Sequence, residues 1–519
     1  MLCATALLFV ATAPLTTSMA AQATPVAAEV AWLPAAADVD IERAFAQARS
    51  EHKPVLLYWG ARWCPPCNQL KAQLFNRQDF IERSRAFVAV NIDGDLPGAQ
   101  KLGARFKVRG YPTMIMLNAE GTEITRLPGE VDAAQVLDVM QLGLSGGRAA
   151  KAVLADARAG KALSANEWRM LAFYSWDTDE AQLVSEAQRH ALLAELAAKC
   201  PPSEAAASMR LLLRALAESD GEKGVRATAA QRTRVRQLLA DPAAVRRQAD
   251  LLTYGAADLV EALSAPNSTE RRSMTAAFDA MLSGLQSDPT LSRADRMGAL
   301  VARIDLARLG QPKETLRPAL PEALLKEARD TAVQADRDIT NGYERQAVIP
   351  TAAHMLSHAG LWKESDALLM SNLERSHSAY YLMSQLGSSA RKQGRNDEAL
   401  RWYEQAYAGS EGPATRLQWG AGYLSALVEL KPQDSARIER TASALIGEAA
   451  AQPNVFYERS ARSLQRAGKR LASWNTSPDR AAVVQRLRTQ LATVCGGLDA
   501  TDPQRATCAA LLAPGKPES

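Results

Sequence analysis

The feature that most restricts the fold is a six-residue apolar run, Pro54 to Trp59 (PVLLYW), followed at once by Trp63-Cys64-Pro65-Pro66-Cys67. An unbroken apolar run of strand length belongs in the middle of a sheet covered on both faces. A C-x-x-C that leaves such a strand and opens a helix has a mechanical purpose. Its first cysteine sits at the helix N-terminus, where free N–H groups and the macrodipole favour a thiolate. Its second lies one turn on, close enough to attack a mixed disulfide formed by the first, and two intervening residues match the disulfide distance. Half of a zinc site would need a second C-x-x-C or a Cys/His pair, and the sequence has neither. The spacing predicts redox chemistry at Cys64 and Cys67.

The flanking residues predict an α/β layer. Ile41, Ala44, Phe45 and Ala48 share one face of a helix over 40–50. Cys64 to Phe75 reads as a helix and Ala86 to Ile92 as a strand. A helix over 98–106, a strand over 113–117, a turn at 119–121 into a strand over 123–126, and a helix over 131–142 complete the order α-β-α-β-α-β-β-α. A βαβ crossover joined to a terminal hairpin is an α/β sandwich.

On these residues, 30–145 resemble the thioredoxin superfamily, in particular its secreted branch that includes the C-terminal domain of the periplasmic thiol-disulfide transporter. The matching features are Lys53-Pro54-Val55, Trp63-Cys64-x-x-Cys67, Asn91-Ile92-Asp93 and Gly110-Tyr111-Pro112-Thr113. The resemblance implies that Pro112 is a cis-proline opposite the dithiol. It implies that Tyr111 and Pro112 form a substrate edge for an extended peptide, and that Trp63 flanks the thiolate. Two positions depart from the family pattern. The buried acid six residues before the first cysteine is Tyr58, and its lysine partner, two residues before Asn91, is Ala89. With both absent, solvent or the Tyr58 phenol is left to deprotonate Cys67. Pro65 and Pro66 also lack N–H groups, which withholds two donors from the Cys64 thiolate. A less stabilised reduced form is a weaker oxidant, so the expected potential is nearer roughly −270 mV than roughly −120 mV.

The compartment decides what the six cysteines mean. Residues 1–20 carry no charge, and an apolar stretch from Leu2 to Ala13 leads to Ser18-Met19-Ala20, a small-x-small cleavage pattern. A positive leader segment is missing. A membrane anchor is the other reading, but the run is shorter than the roughly 18–20 residues a span needs. The expectation is a cleaved signal peptide that takes Cys3 with it and a periplasmic mature chain, without stable membrane insertion. In that compartment Cys495 and Cys508, around a short Gly- and Pro-containing stretch, are expected to form a structural disulfide. Cys200 is left odd and reads as a buried helical thiol.

Beyond Gly146-Gly147 the chain changes character. Runs such as 191–199 (ALLAELAAK) and 209–216 (MRLLLRAL) carry helical spacing and almost no strand signal, opened by a capping box at Ser164-x-x-Glu167. Residues 346–379 and 380–413 align without a gap at 34 residues, pairing Gly360 with Gly394, Glu364 with Glu398 and Leu369 with Tyr403. Leu386-Gly387, Gly394 and Glu398-Ala399 through Tyr403 to Ala406 resemble the tetratricopeptide pattern, in which small residues let antiparallel helices approach. Leu300 to Leu316 reads as a more degenerate hairpin of this kind. The expected organisation is a signal peptide (1–20), a thioredoxin-like domain (30–145), a helical domain (148–340), tetratricopeptide-like helical hairpins (341–475) and a C-terminal helix with a Cys-bridged end (476–519). His354 and His358 stand i, i+4, but no Glu follows His354 and the repeat explains the helix as packing. No metal and no other cofactor is expected. Trp362, Trp402 and Trp419 fall at or near repeat positions and read as core.

At 47% hydrophobic and 23% charged, the chain is neither a disordered tail nor a polytopic membrane protein. With 61 Lys plus Arg against 57 Asp plus Glu, its net charge of +4 implies no nucleic-acid partner. Two functional classes survive. One is a thiol-disulfide oxidoreductase, expected to run as a reductase, with Cys64 attacking and Cys67 resolving; its helices recruit disulfide-bearing protein clients, and a thiol-disulfide donor such as a membrane transporter returns electrons. The other is a chaperone-like or scaffold protein in which the thioredoxin-like domain is auxiliary.

Overall fold

The computed structural model describes residues 29–127, 129, 133–144, 147–219 and 225–513. The expected signal segment and Cys3 lie outside them. The first part of the chain runs β1 (Leu33–Ala35), α1 (Asp38–Glu51), β2 (Val55–Gly60), α2 (Pro65–Gln73), α3 (Gln78–Ser84), β3 (Val88–Asp93), α4 (Pro97–Phe106), β4 (Thr113–Leu117), β5 (Glu123–Leu127) and α5 (Ala133–Leu144). The five strands form one sheet in the order β1-β3-β2-β4-β5. The β1–β3 and β3–β2 pairs are parallel, and β2–β4 and β4–β5 antiparallel.

Every residue of β2 is buried, because the sheet is covered on both sides. The two-residue side-chain period divides it. Leu56 and Tyr58 enter a core with Leu70, Phe80 and Met140 from α2, α3 and α5. Val55, Leu57 and Trp59 enter another with Ile41, Phe45 and Leu102 from α1 and α4. Two elements differ from the sequence reading. The short β1 contains Pro34 and no alternating pattern, and exists through its register with β3, Leu33 opposite Val90. The helix expected over 64–75 ends at Gln73, and the buried Leu74 and Phe75 turn the chain into the separate helix α3.

The rest of the described chain is helical, built over three successive cores. These run from Ala150 to Leu306, from Met297 to Leu386 and from Leu400 to Leu512. Helix Gly342–His358 pairs with Trp362–Ser371, and Ala379–Lys392 pairs with Asn396–Ala408. Gly360 and Gly394, matched in the 34-residue alignment, both occupy the turn of their pair with left-handed backbone (φ 82° and 74°), where glycine carries no steric penalty. Gly387 lets its helix approach its partner, since a Cβ there would stand 2.8 Å from the Tyr403 ring. The hairpin expected over 300–316 is only half present. Helix Arg293–Arg308 stops, and the Gly310/Pro312/Pro318/Pro321 stretch crosses as a series of turns, its Leu316 carbonyl accepting from Trp362 Nε1 at 2.6 Å.

Cys495 and Cys508 are bonded, Cα atoms 5.7 Å apart, and tie helix Pro478–Gly496 to helix Gln504–Ala510. Cys200 is a buried free thiol whose surroundings push its pKa up to about 11 by desolvation. No helix among the described residues is long and apolar enough to cross a membrane.

Arg126 joins the sheet to the helical region. Its fully buried guanidinium pairs with Glu123 and donates to the carbonyls of Phe106, Lys107 and Thr178 at 2.5, 2.9 and 2.7 Å. Removing it strips these acceptors of their donor at once. Arg126→Leu is expected to cost about 3 kcal/mol, measured as a lower urea midpoint of tryptophan fluorescence.

Candidate redox site

Strand β2 ends at Gly60, and four residues later Cys64 caps helix α2. Pro65 and Pro66 fill the first helical turn without N–H groups, so the first free donor is Cys67 N–H, which points at Cys64 Sγ at 3.2 Å. The prolines therefore leave one main-chain donor on the sulfur. The fully buried Asn68 ties the turn down, its amide donating to the carbonyls of Cys64 and Arg62, both at 2.8 Å. Cys64 and Cys67 form a disulfide with Cα atoms 5.3 Å apart. The Tyr111–Pro112 bond is cis, and the Tyr111 carbonyl oxygen lies 3.6 Å from Cys64 Sγ. Cys64, Cys67, Trp63, Tyr111 and Pro112, singled out in the sequence, thus meet at one place.

Tyr58 does not fit the role of proton acceptor. It packs edge-on against Phe75 and beside Trp32, and its hydroxyl is buried without a hydrogen-bond partner among the described residues. Burial raises its pKa well above the usual phenol range, so the phenolate needed as a base is strongly disfavoured.

The dithiol is not left open to solvent. Cys64 is 2% exposed and Cys67 0%, because the helical region closes over Trp63. The Trp63 indole stacks on Tyr381 (centroids 5.7 Å, 17° between planes) and leans on Trp419 at 5.5 Å. Its Nε1 donates to Thr415 Oγ1 at 2.9 Å, and its carbonyl accepts from Gln346 Nε2 at 3.0 Å. The Arg459 guanidinium lies over both the Trp63 and Tyr111 rings, 4.3 and 5.1 Å from their centroids. Gln100 anchors the start of helix Glu458–Trp474, which carries Arg459, by accepting from Arg459 N at 3.0 Å while donating to Gly94 O at 2.7 Å. None of these helical-region residues was legible from the sequence. Trp419 read as repeat core, and nothing local marks a partner 352 residues away, the separation of Trp63 from Thr415. On the other side, Gly110, Tyr111 and Pro112 form one wall of a cavity of about 420 Å³ whose opposite wall carries Arg214, Glu218 and Leu251. That volume lies in the range of ligand sites.

Asp95 is the buried acid of this seam. The Thr415 hydroxyl that accepts from Trp63 donates in turn to Asp95, and Gly412 (φ 86°) passes so close that a Cβ there would meet Asp95 at 2.8 Å. Desolvation raises the Asp95 pKa from 3.8 to about 6, against the lowering influence of Thr415. The folded chain therefore holds a proton between these values that the unfolded chain has lost. The associated stability is full below about pH 4 and is lost as pH rises through about 6. Asp95→Asn cannot ionise. Its stability relative to wild type should rise between pH 4 and 7 by up to about 3 kcal/mol, read from thermal melts across that range; a pH-independent difference would contradict the assignment.

Residues 41–143 match the family described as thioredoxin-like domain. Similar curated proteins include the thiol:disulfide interchange protein DsbD 2 of Pseudomonas aeruginosa, 34% identical over 120 residues, which are 22% of this chain and 20% of that protein. The DsbD protein of a Pseudomonas species is 29% identical over 101 residues (19% and 18%), and that of Yersinia pestis 31% over 99 residues (18% and 16%). The chain spans a fifth or less of the length of these relatives. It carries a thioredoxin-like domain similar to those of DsbD proteins, followed by an all-helical region.

Proposed function

We propose that this protein is an extracytoplasmic thiol-disulfide oxidoreductase that reduces protein disulfides. The observation that carries the reading is the Cys64–Cys67 pair at the N-terminus of α2, with Cys64 Sγ 3.6 Å from the carbonyl preceding cis-Pro112. In the reduced protein the Cys64 thiolate attacks one sulfur of a client disulfide. The client S–S bond breaks, its other sulfur leaves as a thiolate that takes up a proton, and a Cys64–client mixed disulfide forms. Cys67 gives its proton to the client thiolate released in the first step and then attacks Cys64 Sγ. The Cys64–Cys67 bond closes and the second client thiolate departs and is protonated. Two electrons have passed from the dithiol to the client, and another dithiol protein must return them for the next cycle. The similarity to proteins named for thiol:disulfide interchange supports this chemistry. The leader-like residues 1–20 support the compartment.

Tyr111 and Pro112 serve as the edge along which the client chain lies, and the cavity beside them supplies room for its flanking residues. The helical hairpins act as the recruiting surface, because they close over the dithiol and any client must approach past them.

Two measurements check the reading. Cys67→Ser should accumulate mixed disulfides through Cys64 that reducing agent releases, and Cys64→Ser with Cys67→Ser should trap none. Unchanged client capture by the double variant would make the thioredoxin-like domain auxiliary. A glutathione-buffered titration of the wild type should return a potential well below about −180 mV; a value above it would assign the chain to the oxidising direction.

A further inference from the structure

In an isolated thioredoxin-like domain, the field at the attacking sulfur comes from its own helix N-terminus and neighbouring side chains. Here Pro65 and Pro66 thin that supply to the single Cys67 N–H. The helical region brings a cation to the same place. Arg459 lies over Trp63 and Tyr111, and these are the two partly buried rings that pack against the Cys64–Cys67 cluster. Its main chain is fixed to Gln100, whose side chain also reaches the Tyr111 hydroxyl at 3.5 Å. Turning the guanidinium away would break its contacts with Trp63 and Tyr111, which join the two parts of the chain. Arg459 and the two rings are partly buried, and both sulfurs are buried.

We propose that Arg459 is a positioning residue of the redox site: it supplies, from the helical region, the positive field that stabilises the Cys64 thiolate, and it holds Trp63 and Tyr111 in place around it. The proposal rests on the oxidoreductase reading and deepens it, making the reactivity of the dithiol depend on a residue outside the thioredoxin-like domain. A cation near a thiol in a water-poor site lowers its pKa. The same stabilisation of the reduced form makes the protein a less powerful reductant than the two prolines alone imply. The charged and titratable neighbours of Arg459 are Asp95 and Tyr111 from the thioredoxin-like domain, Tyr381 from the helical region and Arg462 on its own helix. Asp95 ionises near pH 6 and would add its own charge to the same field.

The test reads the Cys64 thiolate directly and needs no client. Thiolate absorbance at 240 nm is titrated in the reduced full-length protein, with reduced Cys64→Ser as the blank. Wild type, Arg459→Met and Arg459→Lys are compared, each also in the Asp95→Asn background to remove the carboxyl that titrates in the same window. Arg459→Met, of similar length and apolar, should raise the Cys64 midpoint by about one pH unit and move the redox potential to a more negative value. Arg459→Lys, which keeps the charge but not the planar stacking, should recover most of the shift. An unchanged midpoint in Arg459→Met overturns the proposal. So does an equal shift in the Met and Lys variants, which would make the effect one of packing alone. Client trapping by Cys67→Ser tests the oxidoreductase reading separately, so failure of either is distinguishable from failure of the other.

Discussion

The arrangement of this protein depends on how Trp63 is held. One side chain, immediately before the first cysteine, is stacked on Tyr381, braced by Trp419, hydrogen-bonded to Thr415 and covered by Arg459. Aromatic pairs of this kind contribute about 0.5–1.5 kcal/mol beyond their buried area, and a guanidinium over a partly buried indole contributes about 1–2 kcal/mol. The exposed pair Arg62–Glu411 at the edge of the same seam adds little, because solvent screens it. The helical region is therefore fastened to the redox site by rings and desolvated polar groups, while the surface charges around the seam contribute mostly registry.

That fastening has chemical consequences. Closing over Trp63 buries both sulfurs and puts Asp95 in a desolvated position where its carboxyl holds a proton to about pH 6. Tyr111 and Pro112, which neighbour the dithiol, also line a cavity of about 420 Å³ shared with the helical region. Tyr58 is buried separately, in the core of the thioredoxin-like domain. A phenol can be buried neutral among Trp32 and Phe75, where a lone carboxylate without its lysine partner would not be stable.

Much of the thioredoxin-like domain was legible in the sequence because its signals are local. The run 54–59 announced a buried central strand, C-x-x-C after it announced a helix N-terminus, and the Gly110–Thr113 segment carried its family likeness within four residues. What escaped was of two kinds. Strand β1 and the break after Gln73 have weak local patterns and are imposed by register with β3 and by the burial of Leu74 and Phe75. The second arm of the hairpin expected over 300–316 does not form, because Gly310, Pro312, Pro318 and Pro321 follow the stop at Arg308.

The sequence by itself determined the chemistry: two cysteines at helix spacing, a proline to face them, and a helical remainder without a second C-x-x-C. Only the tertiary structure decided what surrounds that chemistry. Tyr381, Thr415, Trp419 and Arg459 lie on three helices far along the chain, each with an unremarkable local pattern, and they meet Trp63 only because the helical cores stack back onto the sheet domain. Periodicity records which face of a helix is buried. It does not record against what, and that is why the dithiol could be read from the sequence and its cover could not.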